Sequence, residues 1–246
     1  MTEISEEQQK KRYWSKRAVS AVSEIKQSKK TGLFPTREEY RAGNNPQAVK
    51  KDSFRNVVEH ELVEAEAADV LAEKLGLPEA ERKVLRTAAL LHDVRKRREL
   101  EKAEKEGPSG FDESAKEQSD WIISQGYSDE VVKLTESTGH TSLEEFTRNF
   151  DSIPTVRKIM HYVDDITLNN DLVLLDDRMD YLEENQKYKE LNEEGKKIFG
   201  RPYFEVQREV SKRIEEEFAP RLGISDPTQI PLFIKGVIQQ RINSNE

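Results

Sequence analysis

The sequence of 246 residues contains no cysteine and only four histidines. Without cysteine, the chain can form no disulfide scaffold, no cysteine-ligated zinc finger and no thiol nucleophile. Any metal ion bound by this chain would therefore have histidine and carboxylate ligands. The same absence fits a reducing compartment, and residues 1–7 are too polar and acidic for a signal peptide, so we expect a cytoplasmic protein.

Long apolar runs are also absent, since none approaches the roughly 18 residues needed to cross a bilayer. We therefore expect no membrane partner. Charged residues make up 36% of the chain, and 48 acidic against 40 basic side chains leave a formal net charge of −8. This acidic balance argues against nucleic acid as a partner, and contact of RNA with residues 10–17 and 95–98 is a minor alternative.

Apolar residues recur with helical spacing along nearly the whole chain, and no stretch of five or more residues alternates as a half-buried strand would. The pattern predicts an all-α protein. Glycine, proline and polar runs divide it into a helical N-terminal extension (1–51), a helical domain (52–185) and a helical C-terminal appendage (186–246). The most apolar stretch, residues 84–91, is the predicted centre of the bundle.

The candidate site begins at His92 and Asp93, which continue that apolar stretch if its helix runs through them. A buried histidine beside an aspartate needs polar partners, and the ordinary alternative is a core histidine bound to one backbone carbonyl. Two other predicted helices offer metal-competent groups, one with His60 and one with His161 and Asp164. Imidazole and carboxylate groups together are typical ligands of divalent transition metals and zinc.

The order of these groups is a His, then an adjacent His-Asp pair, then a distant Asp, in the segments VVEHELVEAEAADVLAEKLGL, AALLHDVRK and KIMHYVDDI. In this order the chain resembles the HD superfamily of metal-dependent phosphohydrolases over residues 52–185. The resemblance implies an HD-domain-like helical bundle with one or two divalent ions (Mn, Fe, Co, Ni, Zn or Mg). The family's hydrophobic pair favours Asp164 as a ligand and leaves Asp165 at the surface or behind the ligands. The implied metal ligands are His60, His92, Asp93 and Asp164.

The resemblance also implies a reaction, in which metal-activated water cleaves a phosphate ester or anhydride of a nucleotide or related small molecule. Asp93 and Lys96 are the implied catalytic residues. Asp93 would accept the proton of the water, and Lys96 stands where the His-Asp-x-x-Lys variant of the family has a cation that contacts substrate phosphate. Arg95 and Arg97 would assist that contact. The ordinary alternative for this basic run is a solvated helix C-terminus.

Three further residues could approach a second metal ion or the phosphate: Glu136, His140 and His161. Some HD enzymes have extra histidine ligands in the region of His140. Related diadenosine-polyphosphate hydrolases have His-Thr-x-Gly there, whereas this chain reads ESTGH over residues 136–140, so either Glu136 or His140 could approach the site. The alternative for His161 is a position on the helix surface.

One other interpretation of the function stays open, and one is discounted. The chain could keep the HD fold and act as a catalytically silent ligand-binding or protein-interaction module, and a homo-oligomer is compatible with the sequence. The run His60-Glu61-x-x-Glu64 differs from the zincin motif His-Glu-x-x-His at its last position, which removes the second imidazole of a zinc protease. Protease chemistry is therefore discounted, and Glu64 has no predicted role.

Overall fold

A computed structural model describes residues 5–28, 51–107 and 109–244. These residues are helical almost throughout, which confirms the predicted all-α class. The helices are α1 (Glu6–Ser28), α2 (Lys51–Lys74), α3 (Glu79–Ala89), α4 (Lys96–Glu106), α5 (Ser109–Ser124), α6 (Asp129–Thr135), α7 (His140–Asn149), α8 (Thr155–Asp165), α9 (Leu175–Glu184), α10 (Lys189–Phe199), α11 (Tyr203–Leu222) and α12 (Ile230–Ser244). Within the described ranges, no helix is long and apolar enough to cross a membrane.

A short antiparallel hairpin follows α8, and the sequence pattern did not predict it. Its strands, β1 (Thr167–Leu168) and β2 (Asp171–Leu172), have two residues each, too few to produce a readable alternation. The turn between them contains Asn169, whose φ of 58° lies in the left-handed region. Asparagine tolerates this conformation better than most residues do.

The core is built around α2, which is buried on nearly all sides from residue 61 to residue 72. The stretch over residues 84–91 packs against it, with Leu85, Ala88 and Leu91 almost fully buried, as predicted. A helix buried all round is normally apolar. This helix instead buries four carboxylates, and such groups need partners. They are Glu61, Glu64, Glu66 and Asp69.

Two of these carboxylates, Glu66 and Asp69, join the ends of the chain to α2. Arg17 of α1 lies with its Nε 2.9 Å from Glu66 Oε2, and Arg241 of α12 lies with its Nη1 3.1 Å from Asp69 Oδ2. The predicted extension and appendage therefore both contact the central helix. Residues 29–50, which carry the predicted boundary signals, lie outside the described part of the chain.

Replacing Asp69 by Asn is expected to destabilise the fold by about 3 kcal/mol, because removal of one partner leaves buried charge uncompensated. Arg82 and Arg86 of α3 and Arg241 all bind this carboxylate. Urea unfolding measures the change. The matched control is Asp151→Asn, at a side chain that is 99% exposed, and equal unfolding midpoints for the two variants would contradict the prediction.

Candidate metal centre

Four side chains from three parts of the fold converge behind the mouth of a cavity. Their ligand atoms all lie within 4.8 Å of one another, and the residues are His60, Glu64, His92 and Asp164. Two of them are one turn apart on α2, one follows α3 and one ends α8. Glu64 and His92 are buried, whereas the His60 and Asp164 side chains are 13% and 22% exposed. The cluster is thus closed toward the core and accessible from one side.

Glu64 is the centre of this group, which we call the metal cluster. Its Oε1 lies 2.9 Å from His60 Nε2, and its Oε2 lies 3.1 Å from His92 Nε2. His60 Nε2 is also 3.9 Å from Asp164 Oδ1. Although the His92 contact is short, its atoms are not aligned as a hydrogen bond. Both Glu64 oxygens and His92 Nε2 are buried polar atoms without a hydrogen-bond partner among the described residues.

Buried polar atoms without partners are rare in native proteins, and an ion is one explanation for them. Two imidazole nitrogens and two carboxylates form a donor set that suits a divalent metal ion. The residues present therefore fit a metal ion, and the cluster of His60, Glu64, His92 and Asp164 could hold one.

The outer nitrogens of both histidines are fixed by backbone carbonyls. His60 Nδ1 lies 2.8 Å from the carbonyl oxygen of Asn169 in the hairpin turn, and His92 Nδ1 lies 2.9 Å from that of Ala89. A carbonyl only accepts, so each Nδ1 donates a hydrogen. In a neutral imidazole this leaves the Nε2 lone pair directed at the cluster, as in many metal sites.

Sequence reasoning gave no role to Glu64, which the structure brings to the centre of the cluster. Glu64 stands where the zincin motif has its second histidine, and that difference alone does not indicate a ligand. The available signal was simpler. His60 and Glu64 are four residues apart on one helix, so their side chains share a face.

Charges within the cluster control the protonation of both histidines. Burial alone would lower the pKa of His60, but the charge of Glu64, with those of Asp93 and Asp164, raises it to about 10. The same opposition between burial and the carboxylates raises the pKa of His92 to about 9. Without a metal ion, both imidazoles therefore keep their protons at neutral pH.

Metal affinity is consequently expected to rise between pH 6.5 and pH 9, because protons on His60 and His92 compete with the ion. Each proton that the ion displaces changes the metal affinity by about tenfold per pH unit. The stability of the metal-free fold should change in the opposite direction. Because folding raises both pKa values above 6.5, the two protonated histidines stabilise the fold at low pH, and this contribution is lost as the pH rises through about 9 to 10. Chelator competition with Mn²⁺ at several pH values measures the affinity, and a flat profile would contradict the prediction.

The His-Asp pair does not lie on a helix, which corrects the predicted local structure. The α3 helix ends at Ala89, and residues 90–95 form a turn. Hydrogen bonds between residues three apart hold it, including Val94 N to Leu91 O (3.2 Å) and Lys96 N to Asp93 O (2.9 Å). Six successive side chains, those of residues 87–92, are buried from the end of α3 into this turn, and one face of a helix cannot bury six residues in a row.

The interpretation of the basic run as a helix C-terminus is wrong for the same reason, since Lys96 begins α4. A cation is not favoured by the dipole at a helix N-terminus. Carboxylates hold Lys96 there instead, with its Nζ 3.4 Å from Asp93 Oδ1 and 3.1 Å from Glu99 Oε1. Despite its burial, these two charges raise the pKa of Lys96 well above its usual range.

Asp93 lies beside the metal cluster, between it and Lys96. Its Oδ1 is 3.8 Å from His92 Nε2, outside the tight group of four. Burial would raise the pKa of Asp93, but the charges of Lys96, His92 and His60 hold it well below its usual range. The side chain is therefore an ionised carboxylate at the edge of the cluster.

The other predicted site residues have different surroundings. Arg95 is directed toward Glu117, with Nη2 3.6 Å from Glu117 Oε2. Glu136 lines the cavity, and its Oε1 accepts a hydrogen bond of 2.8 Å from Ser119 Oγ. The side chains of Arg97 and His140 lie outside what the structure describes.

His161 and Asp165 are buried, so the surface positions considered for them are wrong. His161 stacks on Phe146 with ring centroids 4.6 Å apart, and its Nε2 lies 3.4 Å from Asp165 Oδ2. Asp165 also accepts hydrogen bonds from Gln207 and Ser211 of α11. Burial raises the pKa of Asp165 to about 6, against the lowering effect of His161. These residues connect the end of α8 to the C-terminal helices, directly behind Asp164.

The metal cluster opens into a cavity of about 300 Å³. Its wall includes residues of the predicted C-terminal appendage, namely Tyr188, Leu191, Tyr203, Phe204 and Gln207. Helices α10 and α11 are in close contact there, since a Cβ on Gly195 would lie 2.3 Å from the backbone nitrogen of Tyr203. The C-terminal helices therefore build part of the candidate site.

Comparison of the chain with protein-family models, curated proteins and solved structures finds no match. The resemblance to the HD superfamily therefore depends on the motif residues alone.

Proposed function

We propose that this chain is an HD-type metal-dependent phosphohydrolase that cleaves a phosphate ester or anhydride of a nucleotide or related small molecule. One observation carries the proposal. The metal cluster has buried ligand atoms without hydrogen-bond partners, and it opens into a cavity that also contains Asp93 and Lys96. A cavity of this size suits a small molecule.

The four residues of the metal cluster would hold the ion, and its mixture of imidazole and carboxylate donors favours Mn, Fe, Co, Ni or Zn over Mg. A bound divalent ion supplies an acidified water and neutralises charge on phosphoryl oxygens. The chain's own residues do the rest. Asp93 orients the water and accepts its proton, while Lys96 binds the phosphate.

The contact between Asp93 and Lys96 links these two roles. In the free protein, the 3.4 Å contact with Lys96 makes Asp93 a weak base. A phosphate group that shares the Lys96 ammonium would weaken this contact. The basicity of Asp93 would then rise when substrate is bound, which is when a proton has to be accepted.

The proposal is tested by metal analysis of the purified protein and a phosphate-release screen over nucleotides and other phosphorylated small molecules with Mn²⁺, Co²⁺, Ni²⁺ and Mg²⁺. We expect metal-dependent release that His92→Ala abolishes, with circular dichroism to verify that the variant is folded. Absence of bound metal, together with any activity that survives unchanged in His92→Ala, would refute the proposal. Bound metal without phosphate release would instead favour the ligand-binding module.

A further inference from the structure

Arg178 of α9 is a cation of the cavity wall that lacks an anionic partner among the described residues. Its Nε is buried and has no hydrogen-bond partner there. The guanidinium carbon lies 5.8 Å from the centroid of the Tyr181 ring, near an aromatic face that does not neutralise the charge. A guanidinium with a buried donor nitrogen normally has a carboxylate or phosphate partner.

The lack of an anionic partner for Arg178 in the described part of the chain is not due to a shortage of acidic side chains on its own helix. Three carboxylates of the same helix, those of Asp176, Asp180 and Glu183, bind Arg208 of α11 at 2.8, 2.8 and 3.0 Å. These three carboxylates neutralise Arg208, which does not line the cavity, while no carboxylate of the described residues pairs with Arg178, which does.

Lys96, which also lines the cavity, differs from Arg178. Lys96 already has two carboxylate partners, Asp93 and Glu99. Tyr188 lies near both cations. Burial raises the pKa of its hydroxyl, and the charges of Lys96 and Arg178 both oppose this rise. Both cations therefore act on one phenol in the same cavity wall.

We propose that Arg178 is a second anion site, so that the substrate of the metal centre carries an anionic group in addition to the phosphate that reacts. The inference depends on the proposed function for the identity of the first group. A guanidinium fork recognises phosphate and carboxylate alike by paired, charge-assisted hydrogen bonds. A cavity of about 300 Å³ suits a compact molecule.

Calorimetric titration of the Mn²⁺-loaded protein with phosphonates, which are not hydrolysed, tests the inference. The probes are alkylphosphonates, alkane-bisphosphonates and carboxyalkylphosphonates of increasing chain length. At the best length, a second anionic group is expected to tighten binding by about 10- to 100-fold over the alkylphosphonate. The two kinds of second group distinguish phosphate from carboxylate as the natural anion.

Arg178→Met is expected to remove this gain, and Arg178→Lys to keep only part of it, because an ammonium cannot form the paired hydrogen bonds. The matched control is Arg148→Met, at an arginine of α7 whose side chain is 73% exposed. The control should keep the full gain.

The inference is overturned if the second anionic group gives no gain in the unmodified protein at any length, or if the gain persists in Arg178→Met. Failure of the proposed function has a different signature. If the gain in binding depends on Arg178 but the protein releases no phosphate from any compound, the second anion site is supported and the proposed phosphohydrolase function is refuted.

Discussion

Glu64→Gln is expected to lower the affinity for a divalent metal ion by more than ~10²-fold, because loss of an outer partner alone costs about 10- to 100-fold. The amide keeps the volume of the side chain in its buried position but supplies no negative charge. Glu64 is the residue that contacts both imidazoles, at 2.9 and 3.1 Å. Competition with a chelator and metal analysis after dialysis both measure the effect.

Glu144→Gln serves as its control, since this carboxylate lies on α7, where it pairs with Arg148. The control should bind metal like the unmodified protein. If Glu64→Gln also kept full affinity, Glu64 would be a partner of the histidines only. The carboxylate ligand would then have to be Asp164 or Asp93.

Asp93→Asn is expected to lower the rate of phosphate release by about 10²- to 10⁴-fold while the protein retains its metal ion. The amide cannot accept a proton, and Asp93 lies outside the four ligand atoms that converge. Steady-state kinetics at saturating metal, together with metal analysis, separates the two effects.

The control for Asp93→Asn is Asp120→Asn on α5, at an exposed side chain. A rate within about a factor of two of the unmodified protein, which corresponds to a change of only about 0.4 kcal/mol in the barrier, would refute the role of Asp93 as the base. Loss of metal together with activity would make Asp93 a ligand, as the family resemblance implies.

Local pattern was sufficient for the helices and for part of the cluster. Helical spacing over nearly the whole chain predicted the all-α class, and the apolar stretch over residues 84–91 was correctly placed in the core. The motif segments identified His60, His92 and Asp164, which the structure brings together. The helices and the core stretch are readable because spacing along one helix defines which side chains share a face. The three residues of the metal cluster were identified by the order of their motif.

Features that depend on how the helices pack against each other could not be predicted from the sequence. The position of Glu64 becomes meaningful only when the turn after α3 brings His92 within 3.1 Å of it. Asp165 is buried because α11 supplies Gln207 and Ser211 as donors. Polar sequence around α9 and α10 gave no sign that Arg178 and the C-terminal helices line the cavity.

The sequence by itself determined the helices, the core stretch and three of the four residues in the metal cluster, because these follow from periodicity and from the order of a motif. The tertiary structure alone decided the fourth residue, the turn that carries His92 and Asp93, and the wall that contains Arg178. The physical reason is that a buried charge depends on partners distant in the chain. Local spacing contains no information about which of those partners will meet it.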